Sequence, residues 1–461
     1  MRSHAVRAAA AAVALVAVSG GITTGQGHQW YTQGDFKPST RIVVELANDL
    51  DIPRVNAPIV IRRDQLPIAD LHELEVTVVD PSLPPSPEPT AERLKLAGGH
   101  ELRAESNGHA LFQQMDDLDK DGVWDELFFV TSLKPKERKQ IDLYIGMNQR
   151  GWNPHETHAG LGSYVRHLMP FWESKHIGWK LWFATSVDVY GKRKPMLMAD
   201  RLYMENLDGY AVGLIDHAMG SDIQSVDNSF GGGGIGLFET PDAPAKVSVA
   251  RFTPAREAAE VKINFNAGQI GDTRYAFDVV ANGPMRSIVR VKTMNWHTGK
   301  GSYEVEQLYT AYAYQNYSTC RVKFTKFLPK ASGVKLAAGI RKKPRENHLY
   351  QKGGVVITAG PEAIADPDEG TITHDIAMIG SALVVKDEYQ PEYQFVPDLQ
   401  GNHTFRFTPR ADGAYEYLIA GAWSEGAVLN TYDQFEEYVL RTAREYGSPV
   451  SVKATRVDWR R

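Results

Sequence analysis

Tyr303-Glu304-Val305-Glu306-Gln307-Leu308-Tyr309-Thr310-Ala311-Tyr312-Ala313-Tyr314 is followed, after a short polar break, by Cys320-Arg321-Val322-Lys323-Phe324-Thr325-Lys326-Phe327. Aromatic, β-branched and apolar residues recur at alternate positions, the pattern of strands with one face buried. From about Gly178 this pattern repeats. Strands are predicted at 180–183, 247–252, 260–265, 275–280, 287–291, 354–357, 376–385, 403–407 and 415–420. Gly, Pro and Asn-Gly punctuate them. Before it, 40–46, 57–61, 74–79, 123–133 and 140–145 read the same way, and Pro81 to Pro89 reads as an extended surface loop. Short strands at regular spacing favour a sandwich or barrel over a βαβ protein. One helix is predicted, Thr431 to Tyr446, with Phe435, Tyr438, Val439, Thr442 and Ala443 on one face and Gly447 and Pro449 ending it.

The N-terminus predicts export. Arg2 and Arg7 precede the apolar run Ala8 to Val18, and small residues follow. This is the layout of a cleaved signal peptide, taken as residues 1–26. The destination expected is the periplasm or the medium. No other segment is long and apolar enough to span a bilayer. The division expected is an N-terminal β portion, 27–150, continuous with a main β region, 151–461.

The single cysteine, Cys320, excludes an intrachain disulfide and reads as a strand or core residue. A net charge of −5 excludes a nucleic-acid footprint. The 9 Trp and 20 Tyr suit sugar-stacking surfaces, and a large β core accounts for them equally well.

Asp116-Asp117-Leu118-Asp119-Lys120-Asp121-Gly122-Val123-Trp124-Asp125-Glu126-Leu127 is the strongest local motif. Alternate carboxylates before a glycine wrap oxygen ligands around a hard cation. Asp117, Asp119, Asp121 and Asp125 would supply carboxylates and Val123 a carbonyl, to Ca2+ in a structural role. The twelfth position is Phe128, so the loop departs from the helical EF-hand. The bland reading is a solvated acidic turn.

The second constellation is Phe171-Trp172-Glu173-Ser174-Lys175-His176-Ile177-Gly178-Trp179-Lys180, then Asp188-Val189-Tyr190-Gly191-Lys192, Asp208-Gly209-Tyr210, His217 and Ser229-Phe230 running into Gly231 to Gly234. The glycine run reads as a close backbone approach to a ligand. In this order the segments resemble a bacterial family of exported domains of unknown function, encoded in polysaccharide-utilisation gene clusters. Gly283-Pro284-Met285-Arg286 and Ala422-Trp423 fit it as well. The resemblance implies an all-β fold, a large β-sandwich of the supersandwich, mutarotase-like kind with a C-terminal helix. It also implies work on acidic plant or algal polysaccharide.

β-Elimination from a uronic acid needs its carboxylate neutralised, a base for the α-proton and an acid for the leaving oxygen. His176, His217 and Tyr210 are the acid–base candidates, with Glu173. Lys175, Arg166 and Arg201 are candidates for the substrate carboxylate, and Trp172 and Trp179 for a sugar platform. Hydrolysis by paired carboxylates is the alternative, drawing on Glu173, Asp188, Asp208, Asp222 and Glu306. A glycan-binding protein without catalysis is the third. His155 and His158 read as a surface loop. The partner expected in every case is an acidic oligosaccharide or polysaccharide, with no nucleic acid.

Overall fold

The computed structural model describes residues 29–460 apart from 69, 89, 97–103, 148–152, 165–166, 183–185, 201–218, 225, 227–228, 241–245, 250–272, 366–372 and 398–400. The leader, the strands predicted at 247–252 and 260–265 for the most part, and Arg166, Arg201, Tyr210 and His217 lie outside the described residues.

The fold is all-β with a C-terminal helix. Its largest element is an eight-stranded antiparallel sheet, in spatial order Arg274–Asn282, Arg286–His297, Gly301–Tyr312, Tyr317–Pro329, Ala414–Trp423, Thr373–Val385, Val355–Ala365 and His348–Lys352. Its inner face packs on two smaller sheets. One is a five-stranded meander of Thr157–Tyr164, His167–Ser174, Ile177–Trp182, Ser186–Lys192 and Gly220–Asp222. The other joins Gly234–Phe238, Lys335–Arg341, Asn402–Phe407 and Glu392–Val396. Tyr309, Val322, Tyr417 and Ile419 of the large sheet meet Trp172, Trp179, Val189 and Leu336 in one core. Cys320 is buried there, and burial pushes its thiol up to about 12.

The quoted stretch forms Gly301–Tyr312, and its alternation sorts the faces. Tyr303, Val305 and Tyr309 are buried inside, while Glu306 and Leu308 turn outward and stay half-exposed. The predicted helix is present as Tyr432–Gly447, and it starts at an N-cap where Thr431 Oγ1 accepts the Gln434 N–H. Its buried side, Phe435, Tyr438 and Val439, lies on Ala382, Val384, Leu418 and Ala420 of the outer face. A Cβ at Gly380 would sit 2.6 Å from the Phe435 ring, so glycine sets how closely the helix docks. Among the described residues no helix is long and apolar enough to cross a membrane.

A second sandwich stands beside this body. Thr40–Ala47, Arg138–Ile145, Val76–Asp80 and His109–Ala110 form one sheet, and Arg54–Arg62, Glu126–Leu133 and Gln113–Asp116 the other. The last strand of the chain, Ser451–Trp459, returns to pair with Thr40–Ala47, so this unit is built from both ends of the sequence. The Pro-rich segment is followed by a short helix, Ala91–Leu96, that propensity alone does not announce. The two bodies are joined by a buried cluster. Arg286 pairs with Asp116 at 2.5 Å and Glu126 at 2.8 Å, and Gln114 Oε1 accepts the Met285 and Arg286 N–H groups.

Candidate active site

The five-stranded sheet decides which motif residues can do chemistry, because strand neighbours point to opposite faces. Trp172 pairs with Trp179, and Trp179 with Val189, on the face turned to the large sheet. Both Trp rings are at most 1% exposed. They stack at 6.3 Å, Trp172 lies 4.5 Å from Tyr309, and its Nε1 donates to Ser318 Oγ at 2.8 Å. The sugar-platform reading of these two residues is therefore corrected: they are core, and no sugar reaches them.

The opposite face carries charge. His158 pairs with Glu173, Glu173 with Gly178, Gly178 with Tyr190 and Tyr190 with Asp222. One step along, Phe171 pairs with Lys180 and Lys180 with Asp188. Lys192 follows Tyr190 by two residues and shares its face. Met198 and Met219 pack on Tyr190, so this polar face lies under a cover.

Glu173 is 1% exposed and saturated with donors. The Lys192 ammonium contacts it, Met198 N–H donates at 3.1 Å and Ala199 N–H at 2.9 Å. Burial would raise its pKa, but the Lys192 charge, the His158 contact and the backbone donors outweigh that and hold the carboxyl below its ordinary value. The remaining contact is His158, whose Nδ1 lies 3.3 Å from Glu173 Oε1. An ionised carboxylate only accepts, so Nδ1 carries the proton and Nε2 is left as the basic nitrogen. The His158 side chain is 19% exposed and lies 5.2 Å from the Phe171 ring, tilted at 58° to it. The surface-loop reading thus holds for His155, which is exposed, and is corrected for His158, which sits on the edge strand Thr157–Tyr164. Gly160 and Gly162 dilute the strand pattern there and hide it from sequence.

Two strands away Lys180 bridges Asp188 at 3.1 Å and Asp222 at 2.7 Å. Burial, then the neighbouring Asp222 charge, holds the Asp188 carboxyl well above the ordinary range despite Lys180. One sheet face therefore carries a carboxyl held below its ordinary value and another held above it, and such pairs mark acid and base roles. Beyond Asp222, Gln224 Oε1 accepts from Lys343 Nζ at 2.7 Å and from Ser381 Oγ at 3.1 Å. Lys343 is fully buried, and burial pushes its amine down to about 7 against the pull of Glu362. No motif announced it.

The other candidates are placed as follows. His176 lies in the turn between His167–Ser174 and Ile177–Trp182, half-buried; burial lowers its pKa, and its Nδ1 has no hydrogen-bond partner among the described residues. Lys175 is engaged with Glu156 at 2.8 Å. The glycine run, read as a close approach to a ligand, instead makes its close approaches to protein. Gly232 N–H donates to Val187 O at 2.6 Å, and a Cβ at Gly231 (φ +60°) would lie 2.1 Å from that oxygen. A Cβ at Gly233 would lie 2.3 Å from Ile419, so these glycines let two layers touch.

Among the described residues, two groups of side chains have ligating atoms within 4.8 Å of one another. In His158, Glu173 and Asp200 the cation at Glu173 is already the Lys192 ammonium. The other is Asp117, Asp119 and Asp121, as the sequence motif anticipates. Asp117 accepts the Lys120 and Gly122 N–H groups at 2.6 and 2.8 Å, and such donors lower its carboxyl although partial burial opposes them. Asp125 Oδ2 is taken by Leu118 N–H at 2.6 Å, and Val123 is 39% exposed.

Residues 46–452 match the family described as "Domain of unknown function (DUF4861)". The chain belongs to this family. No curated protein matches the chain. Among solved structures it is similar to an alpha-mannosidase from Enterococcus faecalis V583, at 9% identity over 91% of this chain and 46% of that one, TM-score 0.43. It is also similar to a protein in the glycosyl hydrolase family 38 from Enterococcus faecalis, at 10% identity over 90% of this chain and 47% of that one, TM-score 0.41. The chain spans less than half the length of both. Values this low carry no argument about chemistry.

Proposed function

We propose that this member of the family is an exported carbohydrate-active enzyme that acts on uronic-acid oligosaccharides by β-elimination, as a lyase or dehydratase. The observation that carries the reading is the His158–Glu173 pair: a partly exposed imidazole whose proton is fixed on Nδ1 by a buried, ionised carboxylate. Its Nε2 is the base. It takes the proton α to the substrate carboxylate; the electrons form the carbon–carbon double bond; the bond to the β-oxygen breaks; an acid protonates that oxygen. Glu173 positions the base and does not move a proton itself. Asp188, whose carboxyl burial and Asp222 raise, and Tyr210 are the acid candidates; Lys175, Arg166 and Arg201 are assigned to the carboxylate of the sugar. His176 and His217 stand as alternative bases. The leader motif supports a periplasmic setting, and a calcium ion held by Asp117, Asp119 and Asp121 is assigned to the fold and not to the reaction.

One observation favours a second reading. A carboxyl lowered at Glu173 and one raised at Asp188 on one face is also the pairing of a glycoside hydrolase. Product analysis on oligogalacturonate and on unsaturated uronate oligosaccharides separates them. Elimination, whether the leaving oxygen departs with a sugar or as water, creates the ultraviolet band of an unsaturated uronate; hydrolysis of a pre-unsaturated substrate removes it. Binding without any product would overturn both.

A further inference from the structure

The outer face of the eight-stranded sheet holds a cavity that the elimination chemistry above does not use, although Asp119 and Asp125 of the acidic loop form part of its wall. It has a volume of about 880 Å³ and lies where the N-terminal sandwich leans over the sheet, between Arg62 and Arg63 on one side and Arg290, Lys292 and Arg321 on the other. Ligand pockets fall in this size range and favour domain junctions.

Strand register places its arginines. Arg290 pairs with Leu308, and Leu308 with Arg321, so two guanidinium groups flank one apolar side chain in a single row. Two strand spacings separate them by about 10 Å. Their charge is poorly matched inside the protein. Arg290 is 13% exposed and meets Asp278 and Glu306 only at 3.8 Å. One of its amino groups donates to the Leu118 carbonyl, and its Nε has no hydrogen-bond partner among the described residues. Arg321 is 55% exposed and meets Glu416 at 4.0 Å, beyond hydrogen-bonding range. Five carboxylates line the cavity as well: Asp64, which pairs with Arg62 at 3.0 Å, Asp119 and Asp125 of the acidic loop, which accept backbone N–H groups, and Glu126 and Glu306, which are held by other cations. Glu126 is held by Arg286 at 2.8 Å and Glu306 by Lys292 at 3.3 Å.

Guanidinium donors left without close carboxylates, fixed in a row with an apolar step between them, fit a planar, bidentate acceptor carried on a partly apolar ring. We infer that this cavity is a second saccharide-binding site, for an anionic oligosaccharide whose carboxylates reach Arg290 and Arg321 while a ring face covers Leu308. The site rests on the substrate class of the proposed function but on none of its residues. It would hold a chain away from the reacting bond, so that binding depends on chain length and on charge.

The test is binding of a galacturonate oligosaccharide by calorimetry in the His158→Gln protein, beside its methyl ester and a neutral xylan oligosaccharide. Arg321→Ala is the leading variant, because that side chain makes no short contact with a carboxylate. Arg290→Lys, which keeps the charge and loses the fork, is the second. The expected result is binding of the acid form alone, weakened by added salt, and about tenfold weaker in each variant. Equal binding of the methyl ester, or unchanged affinity in Arg321→Ala, would overturn the site. If the acid form binds through these arginines but wild-type protein yields no product, the cavity stands and the elimination reading falls. If product forms while affinity is indifferent to both arginines, the elimination reading stands and the cavity site falls.

Discussion

The two faces of the five-stranded sheet come from the same strands and the same motifs, and they serve opposite purposes. One face stacks Trp172 and Trp179 into the core; the other carries Glu173, His158, Lys180, Asp188 and Lys192 beneath a cover. Trp172 and Glu173 are adjacent in sequence, and a single step along a strand separates a packing residue from a chemical one. Burial is nearly complete on both faces. What differs is the cost of disturbing them: shape on one side, charge balance and proton position on the other.

The contrast between the faces breaks first at His158. With this imidazole as the base, His158→Gln lowers turnover by about a hundred- to ten-thousand-fold while the unfolding midpoint in urea barely moves. Trp172→Ala should do the opposite, costing about 3–5 kcal/mol of stability with turnover per folded molecule retained; chemical denaturation and active-fraction assays check both. A Trp172→Ala protein that is stable but inactive would put sugar contact back on that face.

Lys192→Met tests the charged face as structure. It leaves Glu173 buried without its cation, and breaking such a pair costs about 3–5 kcal/mol. Adding Glu173→Gln to Lys192→Met should recover part of that loss, read from the urea midpoints.

Lys343 sharpens the picture through pH. Its folded value, about 7, is below the ordinary 10.5, so between these the unfolded chain binds the extra proton. Stability should rise as pH climbs through that window, and the penalty is fully present below about 7. The difference between wild type and Lys343→Met should therefore shrink across that range; a flat difference would mean the amine is charged when folded.

The smallest effect belongs to the acidic loop. Calcium at a hundred times its dissociation constant should add about 2.7 kcal/mol, seen as a higher melting temperature, and Asp117→Asn with Asp121→Asn should remove the gain.

Much of the fold was legible because alternation is a local signal. The long strands of the large sheet and the capped helix follow from periodicity and end signals. The face of each strand was not legible, since it depends on which neighbour pairs with it; hence Trp172 and Trp179 read as a platform. The edge strand bearing His158 was hidden by its glycines, and the Gly231 to Gly233 run looked like a ligand loop because close packing and close ligand approach ask for the same residue. Lys343 gave no signal, as its significance comes from burial alone. Glu173 was legible, although its saturation with donors makes it an anchor.

The most direct test of His158 as the base is the rate at which purified protein changes the unsaturated-uronate absorbance of acidic oligosaccharides, compared between wild type and His158→Gln. Turnover is expected in wild type, with near-complete loss in a variant that stays folded. Equal rates in the two proteins would contradict the assignment.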